Sequence, residues 1–218
     1  MKQALTLGAI ETAVRSLFPS EVAMAVERVV AGAEADLWPE EGAAMAGAVP
    51  ARLAEFSAGR RAARRVLTAL GHEPLALPMG LDRAPIWPEG VAGSIAHAAG
   101  IAIAVARVGA ALGVDVEEDA PLGEDLWPVI CTPEDLIRLP FDNRGRLVRQ
   151  VFSVKEAVFK AQEPGQRAMF GFDAVSVTLA EDRFDAQFQI DAGAYRVGQV
   201  VQGRLAILHG LILAGVAR

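Results

Sequence analysis

Apolar positions recur at helical spacing in two stretches of the chain and run nearly unbroken in several others. Over 50–70, Leu53, Phe56, Ala63, Val66, Leu67 and Leu70 repeat at three- and four-residue steps. Pro50 opens the stretch and Gly71 follows it, so a long helix is predicted. Over 146–162, Leu147, Val151, Val154 and Val158 repeat the pattern; Gly145 precedes it and Glu163-Pro164-Gly165 is expected to end it. Pro39 with Glu40 and Glu41 predicts a short helix over 37–47, because acidic groups favour a helix start. A second short helix is predicted over 133–139. Apolar or alternating runs predict strands at 22–30, 93–97, 101–108, 112–117, 174–179, 184–190, 195–201 and 205–213. The first 36 residues are otherwise mixed. Residues 71–92, rich in Pro and Gly, read as a loop, and the four prolines within 119–145 mark a long connection.

Each part of the chain thus offers a long helix followed by strands. The expectation is an α+β fold of two similar α/β halves, 1–118 and 119–218, and two halves in one chain favour a monomer. Composition agrees with a packed core: of 218 residues, 52% are apolar and 22% charged. The net charge of -6 makes the chain a poor general binder of nucleic-acid backbones. Any phosphate must then be held by a local basic cluster. The single cysteine, Cys131, excludes an intrachain disulfide and fits a reducing cytoplasm. Lys2 and Glu11 do not suit a signal peptide, and the apolar stretch 205–217 is too short to span a bilayer.

Two short segments carry chemistry. In Gly113-Val114-Asp115-Val116-Glu117, strand periodicity puts Asp115 and Glu117 on one face, where two carboxylates repel unless a cation lies between them. In Phe152-Ser153-Val154-Lys155-Glu156-Ala157-Val158-Phe159-Lys160, Glu156 and Lys160 share a helix face. Hard oxygen donors suit Mg²⁺, and an ammonium suits a phosphate. Solvated acids at a strand end and a surface ion pair are the plain alternatives. His97 follows a strand in Gly93-Ser94-Ile95-Ala96-His97, below a stiff loop of Arg83, Pro85, Trp87 and Pro88. Arg60, Arg61, Arg64 and Arg65 form either a solvated basic face or a phosphate clamp.

Together these segments resemble the phosphopantetheinyl transferases of the surfactin and enterobactin synthase type. The carboxylate strand, the Phe-Ser-x-Lys-Glu-Ala-x-x-Lys helix, the Arg83-Ala84-Pro85 loop and the Ile95-Ala96-His97 turn match that family's pattern. Glu55 to Arg64 looks like its enterobactin branch, which implies siderophore or other secondary-metabolite assembly. The resemblance implies transfer of 4′-phosphopantetheine from coenzyme A to a serine of an apo acyl or peptidyl carrier protein, with release of adenosine 3′,5′-bisphosphate. It implies that Asp115, Glu117 and Glu156 hold Mg²⁺, with Mn²⁺ as the alternative, and that Glu156 helps deprotonate the serine, directly or through water. Lys160 and His97 would contact coenzyme A phosphates, Arg60 and Arg83 its 3′-phosphate and adenine end, and Lys155 would assist near the pyrophosphate. The family's usual Ser before the His is Ala96 here, which predicts weaker coenzyme A binding unless Ser94 substitutes. Leu126, Trp127, Val129 and Ile130 are expected to form an apolar docking lip for the carrier, with Arg138, Arg144, Arg146 and Arg149 for its acidic surface. Competing readings are a metal-dependent phosphodiester hydrolase and a non-catalytic coenzyme A or carrier-binding module.

Overall fold

The computed structural model describes residues 6–32, 36–163 and 167–218; Pro164 and Gly165, expected to end the second long helix, lie outside them. In chain order the elements are α1 (Leu7–Ser16), β1 (Ala23–Arg28), α2 (Pro39–Gly42), α3 (Pro50–Ala69), β2 (Val91–Ala98), β3 (Ile101–Val108), β4 (Leu112–Glu118), α4 (Trp127–Ile130), α5 (Pro133–Arg138), α6 (Arg144–Lys160), β5 (Val175–Leu179), β6 (Arg183–Phe188), β7 (Val200–Leu208) and β8 (Leu211–Ala217). The strands form two antiparallel sheets, ordered β1-β3-β2 and β4-β8-β7-β6-β5. The fold is therefore α+β, with helices and two sheets. β4 ends at residue 118, within the expected first half, yet pairs with β8, so it belongs to the second sheet.

Side-chain size explains the layering. On β3, Ile101, Ile103 and Val105 point into a core between the sheets, which α1 completes with Ile10 and Val14. Ala104 and Ala106 point the other way, beneath α3, where they meet Ala62, Ala63, Val66 and Leu67. Small residues on both sides let helix and sheet approach closely. The second sheet repeats the scheme: Val151, Val154 and Val158 of α6 pack on Phe184, Phe188, Ile212 and Ala214. Each such buried aliphatic contributes about 1.5–3 kcal/mol, against a few tenths for an exposed ion pair. Apolar packing, not charge, therefore holds the two long helices in place.

Two expectations are corrected, and one stretch that had no assignment gains an element. The run 205–213 is two strands, not one, because His209 (φ 48°) and Gly210 (φ 85°) make a two-residue turn between Leu208 and Leu211. The expected strand 195–201 is mostly turn, with Tyr195 joined to Ala192 by an isolated bridge and β7 starting at Val200. The mixed N-terminal stretch holds a ten-residue helix, α1, capped by the Thr6 hydroxyl, which accepts from Ala9 N–H. Among the described residues, no helix is long and apolar enough to cross a membrane.

Candidate active site

β4 turns its carboxylates toward α6. Val114 and Val116 lie in the inter-sheet core, while Gly113 and Asp115 face the helix. A side chain at Gly113 would collide with the Ala157 carbonyl, so glycine there lets α6 close onto the strand. Asp115 is buried. Its Oδ2 accepts the Ser153 hydroxyl at 2.9 Å and its Oδ1 the Lys160 ammonium at 2.6 Å. Lys160 Nζ lies 4.0 Å from Glu156 Oε2. Glu117 is half-buried, 2.9 Å from the Arg149 guanidinium.

The electrostatics follow. Burial, joined by the Asp115 charge, pushes the Glu117 carboxyl above its ordinary range despite Arg149. Burial also raises the Glu156 carboxyl; Lys160 opposes the rise and Asp115 adds to it. Burial acts against the Lys160 ammonium, but Asp115, Glu156 and Glu117 outweigh it and raise its pKa. Asp115 thus presses on both Glu117 and Glu156, and all three carboxylates act on a single ammonium. Among the described residues no three acidic, His or Cys side chains stand assembled as a metal cage, since Asp115 is drawn to Lys160 and Glu117 to Arg149. The donor chemistry nevertheless fits a hard divalent cation: all three donors are carboxylates, and extra positive charge relieves their mutual repulsion.

Beside this cluster lies a cavity of about 400 Å³ lined by Arg52, Glu55, Phe56, Arg60, Arg83 and His97, among others. Arg60 is buried with its guanidinium 4.1 Å over the Phe56 ring, and its Nε has no hydrogen-bond partner. Burial lowers its pKa to about 10. Arg83 reaches the cavity from a tight turn with φ 63°, closed by its own N–H to Gly80 O at 2.9 Å. His97 Nε2 accepts from Arg52 Nη1 at 2.5 Å, so the ring proton sits on Nδ1, 3.5 Å from Glu55 Oε2. Burial lowers the His97 pKa; Arg52 and Lys160 lower it further, while Glu55 and Asp115 oppose. The charges of Lys160 and Asp115 act on His97, which ties the cavity to the carboxylate cluster. On the far side of Glu156 is an apolar slot of about 240 Å³, lined by Phe159, Met169, Phe170, Phe172 and Val175.

Seven of the eight expected residues, namely Arg60, Arg83, His97, Asp115, Glu117, Glu156 and Lys160, line the cavity or the cluster. Lys155 does not join them. Its ammonium is buried and donates to Ile130 O (2.7 Å), Phe172 O (2.8 Å) and Asp135 Oδ2 (2.9 Å), which uses all three protons. Arg61, Arg64 and Arg65 are no phosphate clamp. They pair with Glu27, Asp36 and the buried Glu41, and Arg61 and Arg65 donate to β1 carbonyls at Arg28 and Val26. Sequence reasoning missed Arg52 and Ser153. Arg52 precedes Arg60 by two helical turns, and Ser153 precedes Lys160 by two, so helical spacing held both signals.

The structure also revises two finer expectations. Ser94 does not substitute for the missing hydroxyl: its Oγ is buried and accepts Val114 N–H at 3.1 Å across the seam between β2 and β4. Ala96 packs in the inter-sheet core, on the face of β2 opposite the cavity-lining Ile95 and His97. In the docking lip, Ile130 is buried and Trp127 is partly buried on the second core with Nε1 bound to Leu122 O at 3.0 Å, so both serve chiefly to pack the lip onto the fold. Leu126 and Val129 remain exposed, joined by Ile137 and Phe141. Arg138 and Arg149 are bound within the fold, by Asp135 and Val177 O and by Glu117 and Ala120 O; Arg144 donates to Leu139 O. Arg146 pairs with Asp119 yet stays about half exposed, at 49%.

Comparison with known proteins gives this geometry a family. Residues 40–107 match the model of the 4′-phosphopantetheinyl transferase N-terminal domain, and residues 111–203 that of the 4′-phosphopantetheinyl transferase superfamily. The 4′-phosphopantetheinyl transferase Svp of Streptomyces mobaraensis is 35% identical over 196 residues, 83% of this chain and 78% of its own length. The 4′-phosphopantetheinyl transferase PptT of Mycobacterium tuberculosis is 30% identical over 82% of this chain and 84% of its own. Enterobactin synthase component D of Salmonella typhi is 36% identical over 58% of this chain and 55% of its own. The chain belongs to the 4′-phosphopantetheinyl transferase superfamily and is an enzyme of that kind.

Proposed function

We propose that this chain moves 4′-phosphopantetheine from coenzyme A to a serine of an apo acyl or peptidyl carrier protein, releasing adenosine 3′,5′-bisphosphate. What carries the reading is the order of its features: a cavity with three arginines and His97, then the Asp115–Lys160–Glu156 cluster, then an apolar slot. Coenzyme A presents the same order, with a 3′-phosphorylated nucleoside, a pyrophosphate and a slender pantetheine arm.

Arg60 suits the 3′-phosphate. It is a buried cation with an unpaired donor, and a phosphate would supply both charge and acceptor. Arg83, Arg52 and His97 surround the same space. Lys160 would bind a pyrophosphate oxygen in place of Asp115. Asp115, Glu117 and Glu156 would hold Mg²⁺ or Mn²⁺, which when bound neutralises charge on the leaving nucleotide. The carrier serine oxygen attacks the phosphorus that bears pantetheine. The bridging P–O bond breaks, and the electron pair leaves with the bisphosphate. Glu156, its carboxyl raised by burial, accepts the serine proton directly or through a water. The exposed apolar residues of α4, α5 and their flanks receive the carrier, with Arg146 facing its acidic surface. The similarity to enterobactin synthase component D supports a secondary-metabolite carrier, the lone buried Cys131 supports a cytoplasmic protein, and two halves in one chain support a monomer.

Glu156→Gln tests the assignment. Turnover should fall at least about 100-fold, since proton acceptance typically supplies that much, while coenzyme A still binds. Undiminished turnover would remove Glu156 from the mechanism.

A further inference from the structure

Lys155 and Asp135 form a buried charge cluster outside the cavity and the carboxylates; Lys155 also lines the slot. Asp135 is fully buried and gathers five donors. Its Oδ2 accepts Thr132 N–H and Lys155 Nζ, both at 2.9 Å. Its Oδ1 accepts Val177 N–H at 2.6 Å, the Ser176 hydroxyl at 3.0 Å and Arg138 at 3.0 Å. Lys155 adds the carbonyls of Ile130 and Phe172. One pair therefore joins the end of α4, the start of α5, α6, the turn before β5, and β5 itself. Burial opposes the Asp135 charge. The Lys155 hydrogen bond and charge, with the N–H groups of Thr132 and Val177, overcome it and hold the carboxyl below its usual range.

The cost of burying two charges is not repaid by stability alone, because apolar pairs of like volume commonly do as well. The connections point to another role. Lys155 is the residue before Glu156. The carbonyl it holds, that of Phe172, belongs to a wall of the slot, and Ile130 and Asp135 anchor the segment that exposes Val129 and Ile137. Resting on the proposed transfer reaction, we propose that Lys155 and Asp135 are positioning residues that hold the carrier-docking segment and the slot wall in register with Glu156.

The test compares the unmodified protein with Lys155→Met, Asp135→Asn and the double variant, which removes both charges and keeps an acceptor for Val177 N–H. Three quantities are read: melting temperature, affinity for adenosine 3′,5′-bisphosphate, and steady-state transfer to an apo carrier. In the double variant the fold and bisphosphate affinity should persist while kcat/KM for the carrier falls about 100-fold, as a misplacement near 1 Å would cause. The KM for coenzyme A should change far less. Wild-type kcat/KM for carrier in the double variant would reduce the cluster to scaffold and overturn the proposal. Tenfold weaker bisphosphate binding by folded Lys155→Met would overturn it too, by putting Lys155 on the nucleotide. If the double variant alone fails to fold, the single Asp135→Asn decides by the same split between carrier and bisphosphate. Absence of transfer by the unmodified protein defeats the functional reading first, and is told apart because it precedes any comparison of variants.

Discussion

At the scale of single residues, direction matters more than identity. Ala96 and His97 are neighbours on β2, yet one faces the core and the other the cavity. The missing hydroxyl at Ala96 should therefore not weaken ligand binding. Ala96→Ser should leave the calorimetric affinity for coenzyme A unchanged and cost some stability, because a buried hydroxyl would lack a partner. A clear gain in affinity would show that position 96 reaches the ligand after all. His97 makes a pH prediction. Its pKa in the free protein lies below the ordinary 6.5, first through burial. A bound phosphate favours imidazolium and raises it, so binding takes up a proton between the two values, and affinity declines as pH rises through the bound-state value. Titration with adenosine 3′,5′-bisphosphate in two buffers of different ionisation enthalpy should reveal that uptake, and His97→Gln should abolish it. Identical uptake in both proteins would assign the proton elsewhere. Sequence periodicity was enough to foresee that Asp115 and Glu117 share a face, because strand geometry alone dictates it. It did not foresee that Lys155 binds the buried Asp135, since a helix offers several faces and the motif does not say which one meets that carboxylate.

At the scale of elements, α4 and α5 separate support from surface. Trp127 and Ile130 pack inward, while Val129 and Ile137 stay 61% and 83% exposed. Val129→Asp and Ile137→Asp should raise the KM for carrier with little effect on that for coenzyme A or on melting temperature. Trp127→Ala should instead lower stability by about 2–3 kcal/mol through lost packing. Denaturant unfolding beside steady-state kinetics separates the two effects, and a selective rise in carrier KM for Trp127→Ala with intact stability would reverse the assignment. The long helices and most strands were legible because their apolar spacing is regular. α1 and α4 were not: the first buries little more than Ile10 and Val14, and the second is four residues long. The β7–β8 turn was missed because His209 hides a left-handed position inside an apolar run.

At the scale of the whole molecule, the two sheets enclose a core between them, and the site gathers where β2, β4, α3 and α6 come together. No element holds the constellation alone. The cavity depends on α3 and β2, the carboxylates on β4 and α6, and the slot on α6 and the turn before β5. That arrangement lets one extended ligand meet cations, carboxylates and an apolar wall in turn. The family could be read from motifs in the sequence, whereas the pairing of Asp115 with Lys160 and Ser153, and the seam bond of Ser94, needed the folded chain. The central claim, transfer to a carrier, is tested most directly by the intact mass of an apo acyl or peptidyl carrier protein after incubation with this enzyme, coenzyme A and Mg²⁺. The account predicts a gain of one phosphopantetheine on the carrier serine, abolished by a chelator and by Glu156→Gln. An unchanged mass across several carrier types, or coenzyme A consumed with no gain on the carrier, would contradict it.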